Sequence, residues 1–153
     1  MSTQTFHYVS YIRTTLDELW EALTEPAFTR RYWMDNSVAS DWQPGSPVTF
    51  TNPAGRVVLI GTVLVAERPR LLAYTWSLQT DEQLRAEKPS RVTFLLERYE
   101  HDPDVVRLTV THDGFPENSL AFPNISTGWP MVLCGLKTLL ETEQPIHFQG
   151  TCG

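Results

Sequence analysis

The pattern of hydrophobic and polar residues at the start of the chain predicts a strand followed by a helix. Residues 5–12 (TFHYVSYI) alternate between two faces, which is typical of a strand. Thr15 followed by Glu18 is a capping-box pattern, and it precedes a stripe with helical spacing formed by Leu16, Leu19, Trp20 and Leu23. We expect this helix to end at Pro26, and residues 27–33 (AFTRRYW) indicate a second, short helix.

Beyond residue 45 the pattern changes to that of successive strands. Strand-like segments cover residues 46–52, 56–67, 71–78, 90–99 and 104–114. Gly61 interrupts the longest segment and indicates a bulge or a bend there. The polar stretch 79–89 and the Pro- and Asn-rich stretch 115–125 are predicted as loops. Because short turns join most of the strands, we expect an antiparallel meander with one face that needs a cover.

A long C-terminal helix, predicted over residues 126–142, is the obvious cover. Its apolar positions are spaced by three and four and form one wide stripe: Trp129, Val132, Leu133, Leu136, Leu139 and Leu140. We expect Ser126 or Thr127 to cap this helix, with Pro130 tolerated in its first turn. Gly135 costs a helix about 1 kcal/mol relative to alanine. A glycine at this point indicates that a strand side chain or a ligand needs the space.

Composition and charge restrict the possible partners. The chain has 153 residues, so we expect one domain over residues 1–153. Its formal net charge is −6. Nucleic-acid binders and proteins of anionic membrane surfaces usually carry a positive patch, and no basic cluster longer than TRRY occurs. The sequence contains no apolar run of membrane-spanning length, and its beginning does not resemble a secretion signal. We therefore expect a cytoplasmic protein with reduced thiols at Cys134 and Cys152.

Several segments resemble a known family. They are YIRTTLDELWEALTEP, YWMDNSVASDWQPGSPVTF, RLLAYTW, PSRVTFLLE, RLTVTHDGF and GWPMVLCGLKTLLE, and they occur in order over roughly residues 6–142. This arrangement is similar to the START-like, or SRPBCC, superfamily, in the branch named after the activator of the heat-shock-90 chaperone ATPase. The resemblance implies an α+β helix-grip fold. In that fold a curved antiparallel sheet of about six or seven strands wraps around a long C-terminal helix, and two short helices follow the first strand.

The resemblance also implies a cavity between the sheet and the helix, and the candidate ligand-binding residues are mostly aromatic. They are Trp33, Trp42, Phe50, Tyr74, Trp76, Phe94, His112, Phe115, Trp129 and Leu133. Any one ring is most simply a core residue, but so many large rings in a small chain suit the lining of a cavity. Alternation places His112 on the same face as Val106, Leu108 and Val110. There it can be a core-edge histidine bonded to the protein, a donor to a ligand, or a general base.

The residues give little support to catalysis or to metal binding. The four histidines show no metal-ligand spacing, so no metal and no cofactor are expected. No nucleophile elbow or phosphate loop occurs, and no catalytic residue is predicted. Cys134 is expected to be an inert packed thiol. Asp35 and Asp41 lie in a predicted loop, where aspartates usually cap turns, although paired carboxylates can do acid–base work.

Three functions from different classes remain open. The first is non-enzymatic binding of a small apolar or aromatic molecule in the cavity. The second is a protein-interaction module that contacts a chaperone, as the resemblance implies. The third is an enzyme of the cyclase or hydrolase type, which would need His112 as a base. Either a monomer or a homodimer is compatible with the sequence.

Overall fold

The computed structural model describes residues 4–146 of the chain. Apart from β2 and α3, the strands and helices of this part of the chain follow the predicted order: β1 (Phe6–Arg13), α1 (Leu16–Thr24), α2 (Pro26–Tyr32), β2 (Ser37–Ala39), β3 (Pro47–Thr51), β4 (Val57–Glu67), β5 (Leu71–Leu78), α3 (Glu82–Ala86), β6 (Ser90–Arg98), β7 (Val105–Asp113) and α4 (Ala121–Thr142). The strands form one antiparallel sheet in the order β1-β7-β6-β5-β4-β3-β2.

The core lies between the sheet and helix α4. Alternate residues of β6 and β7 are buried, and they share one hydrophobic cluster with Trp129, Leu133 and Leu136 of α4. The sheet is curved, and α1 and α2 follow its first strand. The predicted helix-grip fold is therefore confirmed. No helix within residues 4–146 is long and apolar enough to cross a membrane.

The two local expectations for the first half of the chain, at Thr15 and at Gly61, have different outcomes. Thr15 caps α1 as predicted, because its side-chain oxygen accepts a hydrogen bond from the Glu18 backbone N–H at 3.1 Å. The irregularity expected at Gly61 lies slightly further along β4, where the register with β5 shifts between Val63 and Val65. Position 61 requires a glycine for a different reason. A Cβ there would lie 1.9 Å from the Thr75 carbonyl oxygen, so the two backbones can approach only at a glycine.

The prediction for the start of α4 is wrong. The helix begins at Ala121, five residues earlier than expected, so Pro130 lies in its interior and not in its first turn. Pro123 occupies the first turn, where its missing N–H removes a donor that has no partner within the helix. Neither Ser126 nor Thr127 is the cap. Two shorter elements also lie within stretches expected to be loops, namely β2 and α3.

The beginning of α4 is capped from a distant part of the chain. Glu87, which follows α3, accepts hydrogen bonds from the backbone N–H of Leu120 at 2.6 Å and of Ala121 at 3.4 Å. Its other carboxylate oxygen accepts from the Ser119 hydroxyl at 2.7 Å. A carboxylate at this end also complements the positive end of the helix dipole. Glu87 therefore fixes the start of α4 together with Ser119, whose hydroxyl oxygen accepts from the Phe122 backbone N–H at 3.1 Å.

Replacing Glu87 by alanine is expected to lower the free energy of unfolding by about 1–2 kcal/mol, as the loss of a helix cap usually does. For a chain of this size, that loss lowers Tm by about 2–4 °C per kcal/mol. Denaturation followed by circular dichroism measures the effect. The control is Lys88→Ala, because Lys88 is the exposed neighbour of Glu87. Equal stability of the two variants would contradict the capping role of Glu87.

Candidate functional site

A cavity of about 280 Å³, partly open to solvent, lies between the sheet and the first half of α4. Helix α4 contributes one wall: Asn124, Ile125, Gly128, Trp129 and Val132. The opposite wall comes from β3, β4, β5 and the chain just after β3: Phe50, Asn52, Val58, Leu59, Trp76 and Leu78. The segment after α2 and the segment after β5 complete the lining with Trp33, Met34, Asn36 and Thr80. The cavity thus lies where the resemblance places it.

Four buried rings form what we call the aromatic floor of the cavity: Trp33, Phe50, Trp76 and Trp129. The Trp33 ring centre lies 4.6 Å from that of Phe50 and 5.4 Å from that of Trp129. The Trp76 and Trp129 centres are 5.3 Å apart. Rings at these separations support one another through tilted and edge-to-face contacts. The floor is therefore a pre-formed apolar surface on which a flat molecule can pack.

The glycine that opens the cavity is Gly128. A Cβ added at Gly128 would meet nothing within 4 Å, so the space beside it is empty. Sequence reasoning singled out Gly135, which is buried in the same helix but does not line the cavity. The early start of α4 explains the difference, because it makes Gly128 a mid-helix residue. A helix that begins at residue 126 would place Gly128 in its first turn, where a glycine does not indicate a cavity.

The polar residues of the lining are all uncharged, and we call them the polar rim: Asn36, Asn52, Thr80 and Asn124. They are half-buried or exposed, in contrast to the buried aromatic floor. Asn52 has a fixed orientation, because its side-chain carbonyl oxygen accepts from the backbone N–H of Ala54 at 3.1 Å and of Arg56 at 3.0 Å. The cavity accordingly offers amide and hydroxyl groups near its opening and apolar surface inside.

His112 is fully buried and bonded through both ring nitrogens to the protein. Trp129 donates its indole N–H to His112 Nδ1 at 3.1 Å, and His112 Nε2 lies 2.7 Å from the Ser90 hydroxyl oxygen. Burial lowers the pKa of His112 to about 3, and the nearby Asp113 carboxylate opposes this only in part. The imidazole is therefore neutral near pH 7 and positions the Trp129 ring in the aromatic floor.

The Ser90–His112 pair has the spacing of a nucleophile and its base, but its protonation is the wrong one. An indole nitrogen can only donate, so Nδ1 of His112 must be the unprotonated nitrogen. In a neutral imidazole the proton then sits on Nε2 and is donated to Ser90, so Nε2 cannot accept the Ser90 proton. Neither residue lines the cavity. The arrangement is suited to holding the core together rather than to nucleophilic catalysis.

The buried donors without a hydrogen-bond partner within residues 4–146 include the Trp76 indole N–H and the Tyr74 hydroxyl, besides Arg107 Nε and the Ser126 hydroxyl. Trp76 belongs to the aromatic floor, and the Tyr74 and Trp76 rings stack at 6.5 Å with their planes 10° apart. Burial raises the pKa of Tyr74 well above its usual value, so its hydroxyl stays protonated. Unpartnered buried donors are uncommon in folded proteins, and the Trp76 and Tyr74 donors lie beside or just behind the cavity.

The structure divides the candidate residues into a lining group and a supporting group. Those that line the cavity are Trp33, Phe50, Trp76 and Trp129. Those that lie outside the lining are Trp42, Tyr74, Phe94, His112, Phe115 and Leu133. The supporting rings contact the others: Phe94 lies 5.8 Å from Trp129, Trp42 lies 6.1 Å from Tyr74, and Phe115 stacks on His112 at 4.7 Å.

Sequence reasoning missed the polar rim and most of the aliphatic lining. The rim residues lie in segments expected to be loops or at strand ends, where asparagine and threonine are ordinary turn residues. Cys134 is exposed, so the expectation of a packed thiol is wrong. Asp35 and Asp41 are exposed and do not line the cavity. Within residues 4–146 no group of three or more His, Cys, Asp or Glu side chains is placed to hold a metal ion.

A curved antiparallel sheet closed by a long C-terminal helix, with a cavity between them, defines a helix-grip protein of the START-like, or SRPBCC, superfamily. The chain belongs to the family described as "Activator of Hsp90 ATPase homolog 1-like protein", whose sequence model matches residues 13–141. Among curated proteins, none matches this sequence significantly.

Solved structures from several organisms share the fold. Protein MLL2253 from Mesorhizobium loti is 27% identical, with a TM-score of 0.73 over 90% of this chain and 96% of that one. The Aha1 dimer from Colwellia psychrerythraea is 18% identical, with a TM-score of 0.71 over 92% and 98%. An HSP90 activator from Plasmodium falciparum, PFC0360w, is 15% identical, with a TM-score of 0.71 over 89% and 95%. For the last two proteins, the similarity to this chain is one of fold only.

Proposed function

We propose that the protein binds a small hydrophobic or aromatic molecule in the cavity between the sheet and α4, without catalysing a reaction. The observation that carries this proposal is the cavity of about 280 Å³ with its aromatic floor. Protein interiors are normally packed as densely as organic crystals, and empty spaces of this size are uncommon unless they hold something. Burial of apolar surface supplies about 25 cal/mol per Å² to binding.

The unpartnered Trp76 indole N–H supports the same proposal. A buried donor without an acceptor costs about 1–3 kcal/mol, and an acceptor supplied by a ligand or by an ordered water removes that cost. Because the proton of His112 sits on Nε2 and is donated to Ser90, His112 cannot act as a base for Ser90, which argues against the enzyme hypothesis. Binding, rather than turnover, is the activity that these residues favour.

A thermal-shift screen with flavonoids, fatty acids and polyketide-like compounds tests the proposal. A ligand present at 100 times its Kd adds about 2.7 kcal/mol to the free energy of unfolding. At about 2–4 °C per kcal/mol, this raises Tm by roughly 5–11 °C. Failure of every apolar compound to raise Tm would contradict a binding function.

A chaperone-activating role is the second candidate, and the description of the family favours it. The neighbour from Plasmodium falciparum is itself described as an HSP90 activator. The test is the ATPase rate of the heat-shock-90 chaperone of the same organism, measured with and without this protein. Stimulation that Gly128→Leu leaves intact would assign this role to the outer surface and make it independent of the cavity. An unchanged rate would count against the second candidate.

A further inference from the structure

The charge and orientation of the polar groups in the cavity restrict which molecules it can take. None of the residues that line it in the described part of the chain is ionisable. An anionic group that enters loses its hydration and finds no opposite charge, which costs several kcal/mol. The buried titratable groups Tyr32, Tyr74 and His112 lie outside the lining. The cavity therefore selects against anions, and an uncharged ligand loses the least hydration on entry.

The size of the cavity indicates the size of the molecule. A cavity of about 150 Å³ inside a protein accommodates one benzene ring. The volume of about 280 Å³ is a little less than twice that value, which corresponds to two fused rings with one small substituent. The rings of the aromatic floor provide surfaces for stacking such a flat body.

Asn52 determines what the substituent must be. Two backbone N–H groups of the β3–β4 turn, from Ala54 and Arg56, bond to its side-chain oxygen, so that oxygen is already used. The part of the Asn52 side chain that remains able to serve a ligand is the NH₂ group, which only donates. A matching ligand carries a hydrogen-bond acceptor, such as a ketone oxygen, at the end that lies near the polar rim.

We infer that the cavity binds an uncharged bicyclic aromatic molecule whose hydrogen-bond acceptor is received by the Asn52 side-chain NH₂ group. This inference rests on the proposed binding function and adds the chemical class of the ligand. The aromatic body lies on the aromatic floor, and the acceptor points towards the opening. The Asn52 turn holds the donor in place before the ligand arrives, which reduces the ordering cost of binding.

Three naphthalenes of nearly equal size test the inference. They are 2-acetylnaphthalene, which has an acceptor, 2-isopropylnaphthalene, which has the same shape without one, and 2-naphthoate, which is charged. We expect wild-type protein to bind the ketone about tenfold more tightly than the hydrocarbon in equilibrium titrations, and the carboxylate more weakly than either. A neutral hydrogen bond contributes about that factor.

The variant Asn52→Asp removes the hydrogen-bond donor of residue 52 and keeps the oxygen that the turn needs. An aspartate oxygen still accepts from Ala54 and Arg56, so the turn and Tm are retained, but the donor becomes a second acceptor. We expect ketone affinity to fall about tenfold and hydrocarbon affinity to stay unchanged. Asn118→Asp is the matched control, because Asn118 is exposed and lies outside the lining, so the change adds the same charge to the chain and leaves the cavity and Asn52 intact. It should alter neither affinity.

The outcomes distinguish the inference from the function on which it rests. If all three naphthalenes bind wild-type protein equally, or if Asn52→Asp leaves the preference for the ketone unchanged, the assigned ligand class is wrong and the binding function stands. Tighter binding of 2-naphthoate than of the ketone would overturn the ligand class in the same way. If no naphthalene binds and the broader screen also fails, the binding function itself is contradicted, and the ligand class falls with it.

Discussion

Replacing Gly128 by leucine should reduce the affinity for any ligand of the cavity at least tenfold and leave the protein folded. The Cβ at this position points into empty space, so the longer side chain occupies volume that a ligand needs. Glycine in a helix interior costs about 1 kcal/mol relative to alanine, so the substitution also removes a local penalty. We expect the free energy of unfolding to stay the same or to rise by up to about 1 kcal/mol.

Equilibrium titration with 2-acetylnaphthalene and chemical denaturation together measure this prediction. Cys134→Leu is the matched control, because Cys134 is exposed on the same helix and lies outside the cavity. It should bind like the wild type. Undiminished affinity of a folded Gly128→Leu protein would show that ligands bind elsewhere on the molecule.

Acidification from pH 6.5 to pH 5 should lower the free energy of unfolding by about 1.6 kcal/mol through His112 alone. The folded-state pKa of His112 is about 3, below the ordinary value of 6.5. Between these two values the unfolded chain binds a proton that the folded chain does not. This contribution to stability is therefore complete well above pH 6.5, and as the pH falls through 6.5 towards 3 its loss approaches about 1.4 kcal/mol per pH unit.

Urea denaturation at a series of pH values between 6.5 and 5 checks the slope. The comparison is His112→Gln, whose amide does not titrate. Its absolute stability should be lower, since the bonds to Trp129 and Ser90 are altered. Its free energy of unfolding should depend less steeply on pH, because about one proton fewer is taken up on unfolding. Parallel slopes for the two proteins would mean that His112 is not the neutral, buried group described above.

The order of elements could be predicted because it depends on local patterns. Alternation placed His112 on the buried face with Val106, Leu108 and Val110, and all four are buried. The start of α4 could not be predicted in this way. Part of its cap comes from Glu87, more than thirty residues earlier in the chain. The local part, in which the Ser119 hydroxyl accepts from the Phe122 backbone N–H at 3.1 Å, lies beside Pro123 among polar residues that are typical of a loop.

The candidate site was predictable in kind but not in detail. Large aromatic residues indicated a ring-lined space, yet only the fold determines which rings face the cavity. Trp76 lines it, and Phe94, on the neighbouring strand, lies behind Trp129. The partners of His112 lie 22 and 17 residues away in sequence, so the pattern of β7 alone could not show that both its ring nitrogens are used. The donor role of Asn52 depends on turn geometry that composition does not contain.

The most direct test of a ligand site beneath α4 is a crystal structure of the protein soaked with 2-bromonaphthalene, with data collected at the bromine absorption edge. We expect one strong anomalous peak in the cavity, between Gly128 and the Trp76 ring, and none in a Gly128→Leu crystal. Bromine found only on the outer surface, or a cavity filled by the protein's own side chains, would contradict the account.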